Sequence, residues 1–135
     1  MIEEYEGRWL IGLRGSTVSA FSRASDGQGL TVVFADEVVL EISGPVLLTY
    51  GPVTAPDAVV LTDENVPDLV GATARSVVVF TSGSLRVVFS TGHHLNVRGA
   101  DSGVTVRMEK PDVFHWSSRQ GIGTMKTFRS QDSTR

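Results

Sequence analysis

Apolar and polar residues alternate with a period of two over most of this chain, as in Leu30-Thr31-Val32 and Leu85-Arg86-Val87. Alternation of this kind places one set of side chains on each face of a pleated strand. The pattern occurs twice. Leu10, Gly12, Val18 and Phe21 recur 59 positions later as Leu69, Gly71, Val77 and Phe80. Leu30, Val32, Val33, Phe34, Leu40 and Gly44 recur 55 positions later as Leu85, Val87, Val88, Phe89, Leu95 and Gly99. The offset shortens within one loop, Ser22 to Gly29 in the first copy and Thr81 to Ser84 in the second. Insertions belong in surface loops. Two related β-meanders are expected, over about residues 10–50 and 69–108.

The second copy is the easier to register. Ala74 to Thr81 and Leu85 to Phe89 are rich in β-branched residues, and Ser82-Gly83 between them signals a turn. A two-residue turn places Phe80 opposite Leu85 and Val78 opposite Val87. The core face then reads Val78, Phe80, Leu85, Val87 and Phe89, and the other face Val77, Val79, Arg86 and Val88. The next hairpin has a three-residue loop, Ser90-Thr91-Gly92, which sets Phe89 against His93, Val87 against Leu95 and Leu85 against Val97. Gly92 takes the left-handed position of a type I turn followed by a G1 bulge. Ala35-Asp36-Glu37 makes the matching loop in the first copy, with Phe34, Val32 and Leu30 facing Val38, Leu40 and Ile42. A slip of one residue would turn Glu41 and Asn96 inward, which fixes the register.

Each copy then reaches a glycine, Gly44 or Gly99, and a further extended segment, Val46 to Tyr50 or Val104 to Met108. The linker between copies carries Pro52, Pro56 and Pro67, a short strand at Val59 to Leu61, and one short helix at most between Asp63 and Ala72, capped by Asp63 or Asn65. Val113 to Trp116 reads as a last strand. Ser117 to Arg135, rich in Ser, Gly, Gln, Thr and basic residues, reads as a disordered tail. The expected architecture is a single mainly β domain over residues 1–116. It is an antiparallel sandwich, roll or partly open barrel built from the two meanders.

Composition narrows the chemistry more than it names it. A chain of 135 residues, 41% hydrophobic and 20% charged, can bury a core without disulfides or a metal. It has no cysteine, which excludes a thiol nucleophile and a thiolate metal site and fits a reducing compartment. The acidic start lacks the basic-then-apolar order of a secretory signal. No apolar run approaches the roughly 18 residues of a membrane span. A cytoplasmic location away from membranes is expected. Arg119, Lys126, Arg129 and Arg135 against Asp132 give the tail a charge of +3, which leaves −6 on residues 1–116. An acidic body argues against a nucleic-acid partner, because phosphate neutralisation needs a basic face.

His93-His94 is the most conspicuous pair. Neighbours on a strand point to opposite faces, so the two cannot chelate one ion together, and no spacing brings His115 or Asp101 to either. No metal or other cofactor is expected. His93 falls on the core face at the sheet rim beside Phe89, and His94 on the outer face. The matching residues of the first copy are Val38 and Val39, so the fold itself does not require histidine there. No Gly-x-Ser-x-Gly elbow occurs. Gly121 to Thr127 lacks the glycine that precedes the lysine of a phosphate loop, and Asp26-Gly27-Gln28-Gly29 is a hairpin loop. Glu3-Glu4, Asp36-Glu37 and Asp63-Glu64 lie in expected termini, turns or caps. Trp9 and Trp116 are expected to plug the core and close the sheet, the alternative being exposed anchors for a partner.

The segment Gly83 to Val97, Gly-Ser-Leu-Arg-Val-Val-Phe-Ser-Thr-Gly-His-His-Leu-Asn-Val, preceded by Leu69 to Val77, resembles a widespread actinobacterial family of small uncharacterised β proteins. The resemblance covers roughly Leu10 to Val97. Some members resemble immunity partners of secreted toxins, which implies a protein-binding role. It carries over no catalytic residue. The ending after Gly99 lacks the Trp- and Gly-rich pattern that the resemblance implies.

Two functions are therefore expected to compete. The first is a non-enzymatic protein-interaction module, an immunity-type or regulatory partner, that uses Val77, Val79, Val88 and His94 to bind another protein or a second copy of itself. The alternative is a small-ligand-binding β-barrel with a pocket at His93 and Phe89, where a buried neutral imidazole could orient an apolar molecule or act as a base.

Overall fold

The computed structural model describes residues 1–23, 29–51, 59–100 and 103–128. Among the described residues there are thirteen strands and no helix: β1 (Ile2–Tyr5), β2 (Arg8–Ile11), β3 (Val18–Arg23), β4 (Gly29–Phe34), β5 (Val39–Ser43), β6 (Leu47–Tyr50), β7 (Val59–Val60), β8 (Ala74–Phe80), β9 (Leu85–Phe89), β10 (His93–Val97), β11 (Thr105–Lys110), β12 (Phe114–Arg119) and β13 (Ile122–Thr127). They form two antiparallel sheets, in the orders β1-β2-β8-β9-β10-β6-β7 and β13-β12-β11-β5-β4-β3. The architecture is a sandwich, and neither sheet closes into a barrel. No helix among the described residues is long and apolar enough to cross a membrane. Most of the predicted loop from Ser22 to Gly29, together with Pro52, Pro56 and Asp101, lies outside the described residues.

Each meander gives its fourth strand to the opposite sheet. After β3-β4-β5 the chain turns at Gly44 (φ 115°) and β6 joins β10; after β8-β9-β10 it passes Gly99 and β11 joins β5. A pair of exchanged backbone bonds marks the centre of this arrangement. Val18 N–H donates to Ala72 O at 2.8 Å and Ala74 N–H to Ser16 O at 2.9 Å; Gly15 N–H donates to Ala74 O at 2.8 Å and Gly71 N–H to Val18 O at 2.9 Å. Each pair repeats with a shift of 56 residues. Leu13, Gly15 and Thr17 thus correspond to Leu69, Gly71 and Thr73, whereas the 59-residue alignment had matched Leu10 and Gly12 to Leu69 and Gly71.

The two predicted three-residue loops form as read. Leu30 pairs with Ile42 and Val32 with Leu40, while Leu85 pairs with Val97 and Val87 with Leu95. Glu37 (φ 73°) and Gly92 (φ 95°) occupy the two left-handed positions. The side chains between the sheets, among them Leu30, Val32, Phe34, Leu40, Val77, Val79, Leu85, Val87, Phe89 and Leu95, are each no more than 2% exposed. Phe21 packs against this core from its margin, as does Trp9, while Trp116 is fully enclosed.

Two expectations are corrected here. The β8–β9 connection is a three-residue loop, Thr81-Ser82-Gly83: Phe80 N–H donates to Ser84 O at 2.9 Å, and Val79 rather than Phe80 stands opposite Leu85. That shift of one residue turns Val77 and Val79 into the core and brings Val78 and Phe80 to the outer face. Residues 129–135 of the expected tail lie outside the described residues, and the rest of it, Ser117 to Phe128, is not a tail. It completes β12 and, after a Gln120-Gly121 turn with both φ positive (53° and 80°), forms β13. Positive φ at both central residues suits a two-residue hairpin turn to the twist of its strands. The hairpin is tied to the other sheet by Gly123 N–H to Thr81 O and Gly121 N–H to Gly99 O, both at 2.9 Å. The Asp63–Ala72 stretch, expected to hold one short helix at most, holds turns. Asn65 closes the first, accepting from Thr62 N–H at 2.7 Å and donating to Val60 O at 2.9 Å.

Candidate functional site

The outer faces of the two sheets differ in chemistry. On the six-stranded sheet one row of directly opposed residues reads Ser22, Thr31, Glu41, Arg107, Ser117 and Thr124. It is polar throughout, with Arg107 ion-paired to Glu41. Such a row belongs in water.

The row on the seven-stranded sheet reads Glu3, Leu10, Val78, Arg86, Asn96, Leu47 and Val60. Four of its seven members are apolar. Beside it runs a second row, Ser76, Val88, His94 and Thr49. The strands expose this face because Leu95, Val97, Leu85 and Val87 must point the other way, into the core. Val60 is half exposed, Arg86 is exposed, and Leu10, Phe80, Val88 and Leu47 are partly so.

The polar members of this face are poorly matched. Asn96 is only 8% exposed, and its Nδ2 has no hydrogen-bond partner. Nδ1 of His94 is likewise buried and unpartnered. Burial, and then the charge of Arg86, holds the His94 imidazole below its ordinary pKa of 6.5. Arg86, opposite Asn96, has no ion pair among the described residues. Thr49 is satisfied, its hydroxyl donating to Gly51 O, and Glu3 at the edge accepts from the Tyr5 hydroxyl at 3.2 Å. Buried donors without partners are uncommon and costly, and each calls for a reason.

The predicted residues divide accordingly. Val88 and His94 sit side by side on this face. Val77 and Val79, expected beside them, are fully buried in the core and cannot meet a partner. Leu10, Phe80 and Leu47 take up the surface expected of those two, with Val78 (5% exposed) and Asn96 largely covered between them. Asn96 carried the clearest signal in the sequence, a buried-strand position that alternation sent outward with an amide.

His93 and Phe89 lie at the rim of the core face as expected, but do not frame a cavity. Phe89 is fully enclosed. His93 shares a hydrogen bond between Nδ1 and Thr91 Oγ1 at 2.8 Å and stacks edge-on against Tyr50, with ring centroids 5.2 Å apart. These contacts clamp the loop. Five concavities on the surface are lined by other residues. No group of three metal-ligating side chains occurs among the described residues.

Residues 9–105 match the model of a family of unknown function, DUF6188. No curated protein and no solved structure matches the chain. The matched stretch begins at Trp9 in β2 and contains six of the seven strands of the half-apolar face; the β12–β13 hairpin lies beyond it.

Proposed function

We propose that this chain, which belongs to the family of unknown function DUF6188, is a non-enzymatic protein-binding module whose partner docks on the outer face of the seven-stranded sheet. The observation that carries the reading is the row Leu10, Val78, Arg86, Asn96, Leu47 and Val60, apolar at its ends and holding an unpaired cation and an unpartnered amide at its middle. A partner that covers this face removes apolar area from water and supplies the missing hydrogen bonds. The opposite sheet has one row polar in every position and a second, Ala20, Val33, Val39, Glu109, His115 and Lys126, apolar only at one end, and among the described residues neither row holds an unpartnered buried polar atom.

An immunity-type or regulatory role in the actinobacterial cytoplasm is one form of this reading. The net charge of −3 speeds encounter with a basic protein. A second copy of the chain is the other partner that the same face suits.

The test is affinity capture from native cytoplasm with three immobilised forms: the wild type, Val88→Glu on the half-apolar face, and Thr31→Glu on the polar one. The expected result is one protein held in stoichiometric amount by the wild type and Thr31→Glu and lost by Val88→Glu. A doubling of mass with concentration that Val88→Glu abolishes assigns the face to self-association. Absence of both, or equal capture by all three forms, overturns the reading.

A further inference from the structure

A second surface lies where the two sheets fail to meet. The edge strands β1 and β13 belong to different sheets, and between them opens a cleft of about 330 Å³ lined by Ile2, Glu4, Trp9, Met125 and Thr127. Ile2, Trp9 and Met125 are partly buried and pack against the core, so the floor is apolar.

The backbone register decides which groups face this opening. Gly123 N–H turns away from β12 to reach Thr81 O, and Phe128 N–H turns back to Val113 O at 3.0 Å. By the alternation of an antiparallel ladder, Met125 and Thr127 present their N–H and C=O groups away from β12. On β1, Met1 O accepts from Gly12 N–H, so Ile2 and Glu4 present theirs away from β2. The edge-strand residues that line the cleft, Ile2, Glu4, Met125 and Thr127, are thus ones whose ladder groups point away from their own sheets, while Trp9 lies one strand in, between β1 and β8. Glu4, whose side chain shares the core-facing side with Trp9, is exposed and has no ion pair or side-chain hydrogen bond among the described residues.

We propose that this cleft binds an extended segment of a partner protein as an added strand on β13, apolar at its inward positions except for one Lys or Arg that pairs with Glu4. Open edges are commonly guarded by an inward-pointing charge. Here the guard is also a filter. A strand with only apolar inward residues would strip water from a lone carboxylate without compensation, and an acidic one would repel it; a basic one pairs with it. A second copy is the poorer occupant, because its β1 would bring Glu3 and Glu4 against their counterparts. The site stands apart from the outer face of the seven-stranded sheet, so either can fail without the other.

The experiment pans phage-displayed heptapeptides against the immobilised full chain, with Glu4→Lys as the counter-target, and follows the best synthetic peptide by amide exchange. Glu4 is exposed, so its reversal leaves the fold intact, which far-UV circular dichroism checks. Peptides that alternate apolar and polar residues around one Lys or Arg should be enriched. They should protect the Met125 and Thr127 amides and weaken by on the order of tenfold or more on Glu4→Lys. Absence of enrichment, peptides without a basic residue, affinity indifferent to Glu4→Lys, or protection elsewhere would overturn the proposal. So would a concentration-dependent dimer that protects the same two amides.

Discussion

Thr17 and Thr73, 56 residues apart, face each other in an isolated antiparallel bridge, and the backbone bonds donated by Gly15, Ser16, Val18 and Ala35 have counterparts in those donated by Gly71, Ala72, Ala74 and Ser90. Ala35 N–H donates to Thr17 O, as Ser90 N–H does to Thr73 O, both at 2.8 Å. The two meanders therefore meet at equivalent points, and damage to one should be matched by the same damage to the other.

Gly15 (φ 86°) and Gly71 (φ 92°) flank this bridge, and a Cβ on either would meet nothing within 4 Å. Only backbone strain opposes a side chain there, so Gly15→Ala and Gly71→Ala should each cost about 1–2 kcal/mol. Gly99 and Gly123 differ, because a Cβ on either would lie 2.3 Å from backbone of the neighbouring turn. Gly123→Ala should therefore destabilise by more than the first pair. Urea denaturation of the four variants orders them, and equal costs throughout would refute the close approach.

A chain stopped after Arg119 loses β13 and with it the cover of Trp116 by Met125, its ladder partner. It also loses the bonds from Gly121 and Gly123 to Gly99 and Thr81 that bind the hairpin to the seven-stranded sheet. Uncovering one large aromatic side chain costs roughly 1.5–3 kcal/mol before any hydrogen bond is counted. The truncated chain should lose much of its stability or fail to fold, which circular dichroism against urea measures. Wild-type stability after this truncation would return these residues to the status of a tail.

What the sequence disclosed follows from how alternation works. Around Gly92 and Glu37 the polar residues Thr31, Glu41, Arg86 and Asn96 all fall on one face, so only one register keeps them out of the core. In β8 the run Val77-Val78-Val79-Phe80 is apolar on both faces, and a shift of one residue costs the pattern nothing. Only the length of the Thr81-Ser82-Gly83 loop decides it, and the glycine-rich turn is readable as two residues or three. β13 was hidden for a different reason. An edge strand with one face in water, reading Ile-Gly-Thr-Met-Lys-Thr, has little apolar content to betray it. The half-apolar face followed the misread register: Val88 and His94 were assigned to it, while Val77 and Val79 stood in for Val78 and Phe80.

His94 predicts a pH dependence. Its folded pKa lies below 6.5, chiefly through burial and then through Arg86, so the unfolded chain takes up a proton that the folded chain resists. The stabilising contribution is complete above about 6.5 and is lost as pH falls from there through the folded value. The wild type should thus lose more stability between pH 7.5 and 5.5 than His94→Gln does. Parallel denaturation curves at the two pH values test this; an unchanged difference would mean that the imidazole titrates as in water.

Asn96 yields the sharpest separation of stability from function. Its amide sits at 8% exposure between Arg86 and Leu47, and Nδ2 has no partner. A buried donor left unsatisfied carries a desolvation penalty of about 1–3 kcal/mol, whereas a leucine of similar volume carries none. Asn96→Leu should therefore fold and be more stable, by about 1 kcal/mol once imperfect packing is allowed for. If the amide is kept for a docking partner, the same variant should bind that partner more weakly despite its firmer fold, since the donor is gone and Arg86 stands alone. Thermal denaturation reads the first effect and capture of the partner the second. A destabilised variant would show that the amide is already satisfied in the free protein, and a stabilised variant with undiminished capture would remove Asn96 from the binding face.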